Sequence, residues 1–138
     1  MKVMFDANIL LDVFQNRQPY YRDSAFCISE ALKGTLDGWI PAHVVTTFYY
    51  LLEKHAGKKM AREAVEWLLA NFHTAPCDHM LLTEACASEI PDLEDAVVAL
   101  SAARMGCAHV LTRNSPDFSG STVPAVSPME LIKRLNKR

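Results

Sequence analysis

Apolar residues recur along this chain in two rhythms. Short continuous runs, such as Val3-Met4-Phe5, Trp39-Ile40 and Val110-Leu111, alternate with longer stretches in which apolar residues return at helical spacing. The runs read as strands covered on both faces, the stretches as helices with one inward stripe. Val3 to Phe5 predicts a first strand that ends on Asp6, with a helix following at once and reaching about Asn16. Asn16-Arg17-Gln18-Pro19 breaks it. A second helix is expected over Tyr20 to Lys33, with Ala25, Ile28, Ser29 and Leu32 inward and Gly34 as its stop. Gly38-Trp39-Ile40 reads as the second strand, and Pro41 suits the opening of a helix.

That helix, Ala42 to His55, carries Val44, Val45, Phe48, Leu51 and Leu52 as its stripe. Gly57 separates it from a helix over Lys59 to Asn71, with Ala64, Val65, Leu68 and Leu69 inward. His73 to Pro76 reads as a third strand and Leu81 to Ser88 as a short helix. Ile90 to Asp95 introduces a helix whose buried face is Leu93, Ala96, Val97, Leu100 and Ala103, ended by Gly106. His109 to Thr112 is a strand, followed by the polar loop Arg113 to Asp117. Val123 to Val126 gives a last strand. Ser127 and Pro128 are an N-cap and a first helical residue for a final helix with Leu131, Ile132 and Leu135 inward. Strands alternating with helices predict an α/β fold with a mainly parallel sheet.

Composition bounds this reading. The chain has 138 residues, 50% of them hydrophobic, enough for one domain over residues 1–138 with a sizeable core. A net charge of −2 excludes a generally basic surface, leaving local clusters at Lys54, Lys58, Lys59 and Arg62 and at Lys133, Arg134, Lys137 and Arg138. Solubilising helix faces account for both equally well. Cys27, Cys77, Cys86 and Cys107 are scattered, with no C-x-x-C pair, and no apolar run is long enough for a membrane span. A reduced, cytoplasmic protein is the expectation.

The candidate chemistry is acidic. Right-handed crossovers bring successive strand ends to one sheet edge, so Asp6 and Asp117 fall together just beyond strands. Asp92 and Asp95 open a helix that can reach the same edge. Each has an ordinary reading alone: acids suit helix starts and turns, and Asp12 and Glu94 read as solvated helix residues. Together they would repel, and a divalent cation relieves that repulsion. All-oxygen ligands favour Mg2+ or Mn2+ over zinc, and such ions serve phosphoryl displacement. The residues by themselves stop at Mg2+-dependent phosphate chemistry. His73, Cys77 and His79 match no zinc spacing, and His43, which opens the helix after the second strand and could face this edge, reads better as a helix-end or surface residue.

Three blocks add a resemblance. Phe5-Asp6-Ala7-Asn8-Ile9-Leu10-Leu11-Asp12, then Asp92-Leu93-Glu94-Asp95-Ala96, then Leu111-Thr112-Arg113-Asn114-Ser115-Pro116-Asp117-Phe118 resemble the signature blocks of PIN-domain proteins, in the family's order and over nearly the whole chain. The resemblance implies a three-layer α/β/α fold with about five strands. It also implies a ribonuclease site that binds Mg2+ (or Mn2+) at Asp6, Asp95 and Asp117, the catalytic acids. Asn8, Asp92, Thr112 and Asn114 would support it. Arg113, lying beside that site in the sequence, is the leading candidate to contact substrate phosphate. RNA as substrate, an antitoxin protein as partner, and a homodimer come with the family. One block departs from it. Where the helix after the second strand usually carries a glutamate, Thr47 stands here, and Glu53 is too far along to replace it. The alternative is therefore a weak or inactive PIN-fold module that binds RNA or protein. An aspartate phosphatase or a receiver domain fits less well, because Asn8 and Ser127-Pro128 stand where those need an acid and a lysine.

Overall fold

A computed structural model describes residues 1–137; Arg138, the last member of the terminal basic cluster, lies outside the described residues. Five strands form one parallel sheet: β1 (Lys2–Phe5), β2 (Asp37–Pro41), β3 (His73–Ala75), β4 (His109–Leu111) and β5 (Ala125–Val126). Their order is β3-β2-β1-β4-β5, so the first strand in the chain lies at the centre of the sheet. Val3, Met4 and Phe5 are fully enclosed, which explains why β1 is a continuous apolar run.

Six α-helices cover the sheet: α1 (Ala7–Phe14), α2 (Tyr21–Lys33), α3 (Ala42–Asn71), α4 (His79–Cys86), α5 (Leu93–Arg104) and α6 (Pro128–Asn136). α1 packs on α2 and α3, and α6 on α2. α4 and α5 pack together, and α5 also lies against β1, β2 and β4. The result is the three-layer α/β/α arrangement that the alternation of strands and helices predicts. Gly57 interrupts α3 with φ 86° and ψ 167°, dividing it into the two expected helical halves. Gly34 ends α2 at φ 87°, a left-handed position that suits glycine. A 3-10 turn over Ser115–Phe118 occupies part of the loop after β4.

Some inward faces differ from the periodicity. α2 buries Ser24, Cys27 and Ile28, while Leu32 is 49% exposed. The helix is rotated because the Ser24 hydroxyl donates to the buried Asp12 at 2.9 Å, and hydrophobic spacing cannot see a polar anchor. In the second half of α3, Ala64 and Leu68 face inward but Leu69 is exposed. α5 buries Ala96 to Ala99, Ser101 and Ala102, whereas Leu93 and Ala103 are exposed. Small residues let α5 lie close across three strands, so its buried face is broader than one stripe. The largest correction is Asp12, expected in solvent and found fully buried.

Candidate active site

The strand order turns outward from the centre in opposite directions at β1 and β4. Such a switch point leaves a crevice at the strands' carboxyl ends. Two groups meet there. Asp6 follows β1 and caps α1, its carboxylate accepting from the Ala7 N–H at 2.8 Å. Thr112 follows β4, is fully buried, and donates its hydroxyl to the other Asp6 oxygen at 2.9 Å. The same hydroxyl accepts from the Asn8 side-chain amide at 3.2 Å and from the Asn114 N–H at 3.1 Å. One donor and two acceptor positions exhaust what a threonine hydroxyl offers. Asn8 closes the loop by accepting from the Arg113 N–H at 3.3 Å.

Arg113 extends this lattice into the interior. Its Nε donates to Asp12 at 2.9 Å, and its guanidinium lies 3.9 Å above the Tyr20 ring. Asp12 thus joins α1, α2 and the loop after β4. The guanidinium also borders a cleft of about 530 Å3 shared with Tyr20, Asn114 and Pro128.

The remaining acids come from two other elements. Asp92 caps α5, accepting from the Asp95 N–H at 2.9 Å, which sets Asp95 in the first turn. Asp117 is exposed on the 3-10 turn. Asp92, Asp95 and Asp117 line a cleft of about 330 Å3. Asp6, only 7% exposed, lies behind it. Burial pushes the Asp95 carboxyl up to about 6, with the charges of Asp92, Asp6, Asp117 and Glu94 adding to the rise. Burial also raises Asp6, against the two hydrogen bonds it accepts and the pull of His43. Three sequence elements therefore bring their acids within one another's field. Among the described residues, no three His, Cys, Asp or Glu side chains are grouped closely enough to hold one metal ion at once.

The structure places Asp6, Asn8, Thr112 and Asn114 in one hydrogen-bonded group, and Asp92, Asp95 and Asp117 around one cleft. Glu94 is exposed, as expected. Thr47, at the position of the missing glutamate, donates its hydroxyl to the His43 carbonyl at 3.3 Å, back along its own helix. Periodicity passed over Asp12, Ser24 and His43. Asp12 had a signal, since it lies one helical turn after Asn8 on the same face. His43 had only its place at the start of the helix after β2.

An acidic crevice at the switch point of a parallel sheet lies where open α/β proteins bind their ligands. A family model described as PIN domain matches residues 2–115, and the chain belongs to that family. It is 27% identical over 139 residues to Ribonuclease VapC1 of Aquifex aeolicus, covering 98% of this chain and 96% of the relative. Its fold is similar to a chain of a toxin-antitoxin complex from Klebsiella pneumoniae, with TM-score 0.67, 22% identity, and 91% of this chain and 97% of the other covered. It is also similar to a chain of VapBC-1 from nontypeable Haemophilus influenzae, with TM-score 0.67, 14% identity, and coverage of 94% and 99%.

Proposed function

We propose that this chain is a divalent-metal-dependent endoribonuclease, acting in the cytoplasm as the toxin partner of an antitoxin protein, folded as one domain and working as a homodimer. The observation that carries the nuclease reading is Asp95. Its carboxyl is held up to about 6 by burial and by acids from β1, α5 and the 3-10 turn together. The charges that act most strongly on Asp95 are all acidic. The donors present fit Mg2+ or Mn2+, which accept few carboxylates and fill their shells with water and phosphate oxygen. Family membership and the relative named a ribonuclease supply RNA as the substrate. The similar fold in a toxin-antitoxin complex supports the partner. Four free cysteines, and the lack among the described residues of a helix long and apolar enough to cross a membrane, accord with the proposed compartment.

Asp6, Asp95 and Asp117 are the proposed ligands. The bound ion would supply an activated water and stabilise charge on the phosphate. Asp6 is held in one orientation by Thr112 and the Ala7 N–H. Asp95 gives up its proton to serve as a ligand. Asn8 and Asn114 hold Thr112 in place, and Asp92 fixes the first turn of α5. Arg113, through the nitrogens not bonded to Asp12, is the proposed phosphate contact.

Thr47 favours a second reading, because its hydroxyl is committed to its own helix and it brings no charge: a PIN-fold module that binds without cleaving. One experiment separates the two. Purified wild-type protein and Asp6→Asn, Asp95→Asn variants are given Mg2+ or Mn2+ and a mixed single-stranded RNA pool. Wild-type cleavage that requires metal and falls on the order of a hundredfold or more in either variant is the expected result. Equal cleavage by Asp6→Asn overturns the nuclease site. RNA binding by a non-cleaving wild type selects the binding module.

A further inference from the structure

The cleft beside Arg113 is separate from the acidic one. It holds about 530 Å3, the size of a small-molecule site, between the start of α2, the loop after β4 and the start of α6. Tyr20, Asp23, Arg113 and Asn114 give it a polar lining, and Pro128 and Met129 an apolar wall. Arg113 is fixed on two sides. Its Nε donates to buried Asp12 at 2.9 Å, and its guanidinium lies 3.9 Å from the centre of the Tyr20 ring. The pairing with Asp12 accounts for one nitrogen. Two others remain, on a side chain that borders the cleft, and Tyr20 is left 44% exposed. The two clefts share a loop. Arg113 and Asn114 line this one, and Pro116 and Asp117 line the acidic one. From Arg113 to Asp117 an extended chain would span at most about 14 Å. The loop is shorter still, because the Asp117 N–H donates to the Asn114 carbonyl at 2.9 Å. One RNA strand can lie in both.

We propose that this cleft is a subsite for one nucleotide flanking the cut, and that it prefers a base carrying an amino group. This rests on the ribonuclease reading above. Arg113 bonds the phosphate through its two remaining nitrogens, a charge-assisted contact. The base extends the Tyr20–Arg113 stack, since aromatic rings and guanidinium planes both accept the bases of single-stranded RNA. The Asp23 carboxylate accepts from the base's amino group. Cytosine offers that donor, where uracil presents only an acceptor. Charge selects this occupant over a peptide. An acidic peptide that paired with Arg113 would meet Asp23 in the same cleft, and an apolar one would leave both unmatched. A nucleotide is anionic at one end and a donor at the other, as the cleft is cationic on its loop side and anionic on its α2 side.

Nuclear magnetic resonance of the backbone amides tests this on the metal-free full chain, titrated with cytidine monophosphate, uridine monophosphate and cytidine. Cytidine monophosphate should shift the amides of Tyr20, Asp23, Arg113 and Asn114 saturably. Uridine monophosphate and cytidine should each bind roughly fivefold more weakly, the first for want of the donor and the second of the phosphate. Tyr20→Ala should weaken cytidine monophosphate binding roughly fivefold or more, and Tyr20→Phe should keep it. Asp23→Asn should erase the preference over uridine monophosphate. Tyr20 is exposed and Asp23 half-buried, so both positions tolerate substitution, and unchanged shifts in the sheet check the fold. No shifts in the cleft at millimolar nucleotide, or binding indifferent to Tyr20→Ala, overturns the subsite even where metal-dependent RNA cleavage stands. Equal binding of the two monophosphates overturns the base preference, and equal binding of cytidine and its monophosphate overturns the Arg113 contact. Cleft binding in a protein that cleaves no RNA with Mg2+ or Mn2+ keeps the subsite and overturns the nuclease reading instead.

Discussion

The two sides of the acidic edge are built differently. On the β4 side the polar groups hold one another: Asp6 is held by Ala7 and Thr112, Thr112 by Asn8 and Asn114, and Arg113 by one Asp12 oxygen, while the other Asp12 oxygen is buried without a partner. On the α3–α5 side, Asp95 carries an unfavourable surplus of charge, His43 has no partner, and Thr47 looks back along its helix. The first side is held together almost wholly within the protein. The second is complete only with something added. A finished lattice fixes one carboxylate in space, and an unfinished one opposite creates the demand that a ligand meets. Preorganised sites combine these features, a rigid frame and a cost relieved on binding.

The finished side breaks most expensively at Arg113. Asp12 is fully buried, and among the described residues Arg113 is its charged partner. Arg113→Met leaves that carboxylate unpaired, which should cost about 3–5 kcal/mol in urea unfolding. The double variant Arg113→Met/Asp12→Leu should recover much of the loss, because no buried charge then remains. Full stability in the single variant would show that Asp12 is not held as described. Thr112→Val comes next. It removes one bond to Asp6 and orphans Asn8 and the Asn114 N–H, for about 1–3 kcal/mol. Thr112→Ser keeps the hydroxyl and should restore cleavage more than stability. Equal cleavage by the valine and serine variants would deny Thr112 its part in orienting Asp6.

Legibility in the sequence divides along the same line. β1, β2, β4 and the α3 break at Gly57 were readable because backbone demands and apolar runs are local signals. Asp6, Asp95 and Asp117 could be named because the crossover rule gathers strand ends, and the signature blocks named the same residues. Asp12 could not be separated from a solvated acid, since its burial depends on Ser24 from α2 and Arg113 from beyond β4, distant in sequence. Leu32 and Leu93 read as inward because hydrophobic spacing assumes that apolar atoms alone orient a helix. In α2 the Ser24–Asp12 bond sets the rotation, and in α5 small residues do the packing. For His43 the sequence offered only its place at the start of α3; that both ring nitrogens are enclosed without partners shows only in three dimensions.

On the unfinished side the effects are smaller and more specific. The Asp95 carboxyl rises from its ordinary 3.8 to about 6 on folding. A group that binds its proton more tightly when folded favours the fold in acid, and that advantage fades as pH climbs from 3.8 through about 6. Asp95→Asn removes this penalty. Without metal, its melting temperature should exceed the wild type's above pH 6 and match it below about pH 4. Excess Mn2+ should reverse the order at pH 7, since the ion stabilises only the protein that binds it. A constant difference across the whole pH range would show that Asp95 sits outside the shared field.

The smallest effect belongs to Thr47. A threonine hydroxyl bonded to the carbonyl four residues back contributes little to a helix, and here the bond is long at 3.3 Å. Thr47→Val keeps the shape and removes the hydroxyl. Stability should stay within about 0.5 kcal/mol of wild type. Cleavage and Mn2+ affinity should also be unchanged within experimental scatter. Neutrality there would show that α3 contributes nothing to cleavage through the position where the family usually has its glutamate. A clear loss of Mn2+ affinity in Thr47→Val would instead mean that the hydroxyl leaves the His43 carbonyl when an ion arrives, and that the glutamate's place is still in use.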